Sequence, residues 1–386
     1  MTAQNKPSIF NDPTQPGLAG ARNIIAIASG KGGVGKSTVA VNLAMALKLA
    51  GARVGLMDAD IYGPSQPGML GSRDTKPDIS NGYLKPITKH GINFISMGLL
   101  VDNNSPVIWR APMAMKMIHQ FISSVAWGEL DYLLIDLPPG TGDVQLTLAQ
   151  QASLTGAIIV TTPQQVALDV ARKGLCMFEQ VNVPIIGIIE NMSGFTCKHC
   201  NKVTAVFKEG GGQKMAKDLK VPYLGSIPLD PEIMMSGDNG SPVANQGNDS
   251  LAAQSFRKVA EEVKRNSEKI SKAIKENEPQ EIQISSDGNL TLLWHNGHES
   301  IYTPYHLRAN CPCASCIDED SGKKILDTNK IPLDIKIDGV NTVGRYGLSV
   351  SFSDSHNTGI YIHNMLREIC ECELCTKKNK QDSFSV

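Results

Sequence analysis

Three sets of residues in this chain of 386 residues have the types and spacing to do chemistry. The first is Gly30-Lys31-Gly32-Gly33-Val34-Gly35-Lys36-Ser37-Thr38, which fits the phosphate-cradle pattern G-x-x-x-x-G-K-[ST]. Its glycines let backbone N–H groups converge on an anion that side chains would keep away. Lys36 is expected to reach the β- and γ-phosphates of ATP, and the Ser37 hydroxyl to ligate Mg²⁺. Lys31 adds a second cation beside the polyphosphate. The second set is polar: Asp60, Asp136 and Asn191 each follow an apolar run, where ligands of a parallel sheet sit. Asp136 ends Tyr132-Leu133-Leu134-Ile135, so its carboxylate can reach a magnesium shell through water. The stiff Leu137-Pro138-Pro139-Gly140-Thr141-Gly142-Asp143 loop behind it suits a two-position switch. Asn191 offers a donor and an acceptor to a base edge, and is equally a turn former.

The third set is cysteine. Of nine, Cys197 and Cys200 form a C-x-x-C, and six form two C-x-C-x-x-C groups, Cys311/Cys313/Cys316 and Cys370/Cys372/Cys375. Cys176 stands alone in a helical pattern and is expected in the core. A lone C-x-x-C supplies two thiolates where closed zinc or iron–sulfur sites want about four. It is a half-site completed by a second copy across a two-fold axis, a redox dithiol, or a zinc half-site shared with the distant cysteines. The later groups have metal-ligand spacing; the second could be a zinc site, a further iron–sulfur ligand set, or exposed thiols.

These residues need a frame, and the order of strand-like and helical stretches supplies it. Asn23 to Ser29 reads as a buried strand and Val39 to Ala50 as a helix. Runs at Arg53–Met57, Ile92–Met97, Tyr132–Ile135, Ala157–Val160, Ile185–Ile189 and Val221–Leu224 continue the alternation. Apolar throughout rather than alternating, they predict an α/β parallel-sheet P-loop domain with helices on both faces. A charged helix from Gln254 to about Ile274 closes it. The expected divisions are a flexible segment 1–22, the ATPase domain 23–274, a linker 275–280, a small β-rich domain 281–376 and a tail 377–386. Within the last domain His298, Tyr302, Leu307-Arg308 and the first cysteine group are echoed by His356, Tyr361, Leu366-Arg367 and the second, at an offset of 58 or 59 residues. Two copies of one strand–helix–cysteine unit about a pseudo-two-fold axis are predicted.

Lys+Arg 37 against Asp+Glu 38 leaves no field that argues for nucleic acid or an anionic membrane. No apolar run approaches the roughly 20 residues needed to span a bilayer. A reducing cytoplasm is the expected compartment, where such cysteines are metal ligands rather than disulfides.

The motifs G-K-G-G-V-G-K-S, D-A-D-I-Y-G-P-S, D-L-P-P-G-T-G-D, E-N-M-S and C-x-x-C, in that order, resemble the Mrp/ApbC family of iron–sulfur carrier ATPases, within the deviant Walker A group with MinD and ParA. The resemblance implies a homodimer in which Lys31 reaches the partner's nucleotide and Asp60 orients the attacking water. It further implies that Asn191 reads adenine, and that Cys197 and Cys200 of both subunits hold a [4Fe-4S] cluster passed from an upstream scaffold to apo-proteins. Two departures stand out. Trp109-Arg110-Ala111-Pro112 carries Ala where glycine is common, and about twenty residues precede the first strand where many relatives carry a small domain. The region around Leu-Arg-Ala-Asn-Cys-Pro-Cys-Ala-Ser-Cys is similar to the N-terminal domain of gamma-butyrobetaine hydroxylase, which implies Zn²⁺ on Cys311, Cys313, Cys316 and His356. Two rivals remain. A ParA- or MinD-like partitioning ATPase would need a basic face or amphipathic tail, for which Lys377-Lys378-Asn379-Lys380 is short. A nucleotide-gated zinc scaffold would transfer no cluster.

Overall fold

The computed structural model describes residues 17–61, 63–80, 82–100, 111–140, 142–197, 203–247, 250–318, 323–343, 345–372 and 375. Cys200, Tyr62, Thr141, the Trp109-Arg110 pair, most of the N-terminal segment and the basic tail lie outside them. The chain divides into two compact units at Ile270/Ser271.

In the larger unit the elements run β1 (Ala21–Ala28), α1 (Lys36–Leu49), β2 (Val54–Asp58), α2 (Gln66–Met69), β3 (Ile79–Ser80), β4 (Tyr83–Leu84), β5 (Ile87–Lys89), β6 (Ile92–Ser96), α3 (Ala111–Ser123), β7 (Leu130–Asp136), α4 (Asp143–Gln151), β8 (Gly156–Thr161), α5 (Gln165–Gln180) and β9 (Ile185–Glu190). The short strands β10 (Phe195–Thr196) and β11 (Val203–Thr204) follow, then α6 (Gly211–Asp218), β12 (Tyr223–Ser226), α7 (Pro231–Asp238) and α8 (Leu251–Asn277). The main sheet has the order β12-β9-β8-β1-β7-β2-β6-β5. Its strands pair in parallel except β5, which joins β6 antiparallel as an edge. Parallel strands buried on both faces must be apolar throughout, and β2, β8 and β9 are buried at every position. On one face Leu133, Ile135 and Ile159 pack with Phe121, Leu148, Leu175 and Phe178. On the other, Ile25, Ile27 and Leu134 pack with Val39, Leu43, Phe256 and Val259. The chain leaves β1 toward β2 on one side and later returns to β8 on the other, so β1 is the switch point where ligands of such sheets bind.

Cys176 is exposed, not in the core. The inward face of α5 is set by Ala167, Leu168, Ala171, Leu175 and Phe178 at helical spacing, which turns position 176 outward. The closing helix also runs on to Asn277, because Lys272 to Asn277 are good helix formers or tolerated at its end.

The smaller unit contains two three-stranded antiparallel sheets. One is β13 (Pro279–Ile284), β14 (Leu290–Trp294) and β15 (Glu299–Tyr302), followed by α9 (Pro304–Ala309); the other is β16 (Ile337–Val343), β17 (Gly347–Phe352) and β18 (Ile360–Ile362), followed by α10 (His363–Glu368). Here burial alternates along β14 and β17. Their inward residues form one core in matched pairs: Leu290 with Leu348, Leu292 with Val350, Trp294 with Phe352, Tyr302 with Tyr361 and Leu307 with Leu366. The two tyrosines reciprocate. Tyr302 donates its hydroxyl to the Leu366 carbonyl (2.5 Å), and Tyr361 donates to the Leu307 carbonyl (2.8 Å). The sequence repeat is therefore a pair of interlocked units.

Candidate functional site

The turn from β1 into α1 brings the cradle to the carboxyl ends of β1, β2, β7 and β9. Gly33 (φ 82°) and Gly35 (φ 81°) take left-handed conformations that a side chain resists. A Cβ on Gly35 would also lie 2.3 Å from the Asn191 amide nitrogen, and one on Gly30 would lie 2.4 Å from the Val170 backbone. α1 begins at Lys36 with no side-chain cap, so its first N–H groups face the cradle. Val34 is buried, whereas Lys31, Gly32 and Gly33 are exposed; Ser37 and Thr38 are half-buried. The Lys31 ammonium makes no ion pair among the described residues.

Lys36 is the electrostatic centre. Only 6% exposed, its ammonium pairs with Asp136, approaches Asp60 Oδ2 (3.9 Å) and donates to Ser37 Oγ (3.3 Å). Asp136 sits beneath it with no exposure, at the end of β7. Gln66, at the start of α2, donates from Nε2 to Asp136 Oδ2 (2.8 Å) and to the Ser37 carbonyl (3.1 Å). Its buried Oε1 has no hydrogen-bond partner. An orphaned acceptor on the side chain that links Ser37 to Asp136 suits a hydrated cation, so the donor set fits Mg²⁺: hard oxygens around an ion that keeps several waters.

Asp58 was not singled out by sequence. It ends β2 beside β7, with Asp58 and Asp136 in direct register. Its side chain accepts from Ser96 Oγ (2.8 Å), the Gln66 backbone N–H (3.3 Å) and the Asp60 N–H (3.2 Å). Burial, and then the Asp136 carboxylate beside it, push Asp58 up to about 8. A carboxyl whose folded value lies above its unfolded one binds more protons folded than unfolded between those values. Stability of the nucleotide-free protein is therefore expected to fall as pH rises from about 4 to 8, by at most about 1.4 kcal/mol per pH unit from this group. Asp58→Asn should flatten that slope in denaturant unfolding; an unchanged slope would place the titration elsewhere.

The loop after β7 lies along the end of β1. Leu137 donates its N–H to the Ile27 carbonyl (3.1 Å) and Gly140 to that of Ser29 (3.0 Å), while Gln145 Nε2 holds the Pro138 carbonyl (2.6 Å). Asn191, at the end of β9, donates from Nδ2 to the Val34 carbonyl (2.8 Å). It thus touches the cradle backbone directly, which no motif anticipated.

Cys197 directly follows β10, which pairs antiparallel with β11. The hairpin is tied to the site through Glu190, which is fully buried and immediately precedes Asn191. Its carboxylate accepts from Ser193 Oγ (2.5 Å) before the hairpin, and from the N–H groups of Gly210 (2.9 Å) and Gly212 (2.5 Å) after it. The Gly211 turn that these contacts enter is the start of α6, where a carboxylate also meets the helix dipole. Only the tertiary fold brings positions 190 and 210 together.

In the smaller unit, Cys311, Cys313 and Cys316 converge on His356, with sulfur to Nε2 distances of 3.1, 3.4 and 3.9 Å. A tetrahedral zinc would hold sulfur and nitrogen about 3.6 Å apart, from bonds of about 2.3 and 2.05 Å. Arg308, paired with Asp354 (2.8 Å), donates to Cys316 Sγ (3.4 Å). Cys370, Cys372 and Cys375 gather likewise around His298.

The family model described as NUBPL iron-transfer P-loop NTPase matches residues 20–264, well over half of the chain. The chain belongs to that family. Similar proteins include an iron–sulfur cluster carrier protein of Pseudomonas fragi, 50% identical over 247 residues, which cover 64% of this chain and 86% of the relative. Another, of Methanocaldococcus jannaschii, is 53% identical over 249 residues, covering 64% and 84%. A nucleotide-binding protein of Archaeoglobus fulgidus, solved in complex with ADP, shares 40% identity with a TM-score of 0.52 and covers 58% of this chain and 88% of its own. Residues 282–367 match the gamma-butyrobetaine hydroxylase-like N-terminal model. This NUBPL-family chain thus joins a P-loop NTPase of the iron–sulfur carrier type to a small β-rich domain with two cysteine–histidine clusters. None of its helices, among the described residues, is long and apolar enough to cross a membrane.

Proposed function

We propose that the chain is an ATP-hydrolysing carrier that holds a [4Fe-4S] cluster between Cys197 and Cys200 of two copies and releases it to apo-proteins. The observation that carries this reading is the Glu190–Asn191 junction: Asn191 touches the nucleotide cradle while Glu190 holds the chain before and after the cysteine hairpin, at Ser193 and Gly210. The backbone N–H groups of Gly30 to Thr38 and the ammonium of Lys36 bind the phosphates. Ser37 and Asp136, the latter through water, hold Mg²⁺, which supplies charge neutralisation on the phosphates. Asp60 orients the attacking water, Lys31 reaches the partner's nucleotide, and Asn191 exchanges its bond to Val34 for one to adenine. With phosphate present, Lys36 turns from Asp136 toward the anion and the 137–143 loop leaves the end of β1. Coupling of roughly 1–3 kcal/mol between nucleotide state and cluster exposure suffices for a switch. Cys311, Cys313, Cys316 and His356 hold a structural zinc, closed to catalysis. A reducing cytoplasm, an upstream scaffold as donor, and neither nucleic acid nor membrane as partner complete the reading.

The experiment is anaerobic reconstitution followed by transfer to an apo-protein with and without ATP. About two irons per subunit are expected, half of a four-iron cluster. Cys197→Ala should lose that iron and transfer together. Retention of iron in this variant, or transfer rates indifferent to ATP, would leave a nucleotide-gated zinc scaffold as the better account.

A further inference from the structure

The family model for the small domain ends at residue 367, before the second cysteine group begins at Cys370. The structure nevertheless gives that group a fourth partner. The sulfurs of Cys370, Cys372 and Cys375 lie 3.6, 3.7 and 3.4 Å from His298 Nε2. All four ligand atoms lie within 4.8 Å of one another. These separations bracket the value of about 3.6 Å for sulfur and nitrogen on one tetrahedral zinc more tightly than the first cluster does. Four donors this close surround one ion; a cubane cluster, with each thiolate on a different iron, spreads its ligands further. Cys370 is buried, and Cys372, Cys375 and His298 are half-buried, so the group is a built pocket rather than a set of surface thiols.

We propose that this chain binds a second soft divalent cation, Zn²⁺ or its equivalent, at His298, Cys370, Cys372 and Cys375, and that each of its two metal ions staples one repeat to the other. The arrangement is reciprocal. His356, in the turn after β17, faces the cysteines that follow α9; His298, in the turn after β14, faces the cysteines that follow α10. The supports match as well. His356 donates its backbone N–H to Asp354 Oδ1 (3.1 Å) and His298 to Asn296 Oδ1 (3.2 Å). Phe352 donates its N–H to the His356 carbonyl (2.9 Å) and Trp294 to that of His298 (2.8 Å), closing the same tight turn in each repeat. Cys311 and Cys370 donate their N–H groups to the carbonyls of Arg308 (3.3 Å) and Arg367 (3.4 Å). A second metal pocket of one make is thus repeated about the axis that the two tyrosine bonds already mark.

One difference separates the pockets. Arg308 is held on Cys316 by Asp354, whereas Asn296 stands where Asp354 would be, and Arg367 lies over the Trp294 ring, 4.3 Å from its centroid. Three thiolates, one imidazole and a divalent ion carry a net −1; in the first pocket a guanidinium, itself paired with Asp354, donates to one of the sulfurs, and no such bond is seen among the described residues of the second. Binding needs no electron transfer: the thiols give up their protons to solvent and the ion takes the thiolate lone pairs. Each ion bridges elements more than forty residues apart in sequence, so either one removes much loop entropy from the smaller unit.

Cobalt titration of the full chain tests this, in a Cys197→Ser/Cys200→Ser background that removes the other thiol pair. Two equivalents of thiolate-bound tetrahedral Co²⁺ are expected in the visible spectrum, both displaced by Zn²⁺. Cys372→Ser and His298→Asn should each reduce the count to one, and Cys313→Ser should do the same through the first pocket. A single equivalent in the background protein would overturn the proposal even if the variants fold poorly. So would two equivalents in Cys372→Ser, or an iron–sulfur chromophore that Cys372→Ser removes after anaerobic reconstitution.

Discussion

Lys36→Ala is expected to abolish measurable ATP binding and to destabilise the nucleotide-free protein by about 3–5 kcal/mol at neutral pH, the range found when one partner of a buried ion pair is removed. Lys36 contacts both Asp60 and Asp136. Taking it away leaves Asp136 fully buried beside Asp58, with Gln66 Nε2 as its remaining side-chain donor. A double variant separates the two effects. In Lys36→Ala/Asp136→Asn the amide needs no counter-ion, and stability should recover in part while ATP binding stays lost. Equilibrium unfolding and calorimetric titration with ATP read the two separately. Parent-like ATP affinity in Lys36→Ala would refute the cradle reading; a stability loss that Asp136→Asn leaves untouched would refute the electrostatic one.

Lys31→Ala should behave in the opposite way: nucleotide bound nearly as in the parent, but hydrolysis reduced by about 10³–10⁵, as for cations that reach a transferring phosphoryl group from outside the site. Lys31 is exposed on the cradle and makes no ion pair among the described residues, so its loss should leave fold stability within about 0.5 kcal/mol. Its cation is free to serve a second copy. Mixing Lys31→Ala with Asp60→Asn is the sharper measurement. If the lysine acts across the dimer, a mixed pair regains one complete site, and activity should rise above that of either variant alone. Unchanged hydrolysis in Lys31→Ala would mean that this lysine is only a surface cation.

The individual strands were legible because a strand buried on both faces cannot carry polar residues: β1, β2, β7, β8 and β9 each coincide with an apolar run, to within one or two residues at most ends. β5 was not, because an antiparallel edge of three residues, none of them buried, leaves no such pattern. Asp60 and Asp136 stood out as strand-end carboxylates, yet Asp58 passed unnoticed. Its significance comes from β2 lying next to β7, and Ala59 separates it from Asp60 so that the two acids are placed differently. Cys176 was misread because the helical phase of α5, not the general tendency of a free cysteine to be buried, sets which side faces the core.

Local chemistry carries the rest of what sequence alone determined: the phosphate cradle, which needs only glycines, a lysine and a helix start within nine residues, and the two cysteine trios, whose spacing is itself a ligand geometry. Tertiary structure decided the pairings. That Asn191 rests on Val34, that Glu190 meets Gly210 beyond the Cys197 hairpin, and that each cysteine trio takes the histidine of the other repeat are long-range contacts. A repeat offset says which residues are alike, but not which of them meet; the two repeats share one core, and each histidine reaches across to the other repeat's cysteines.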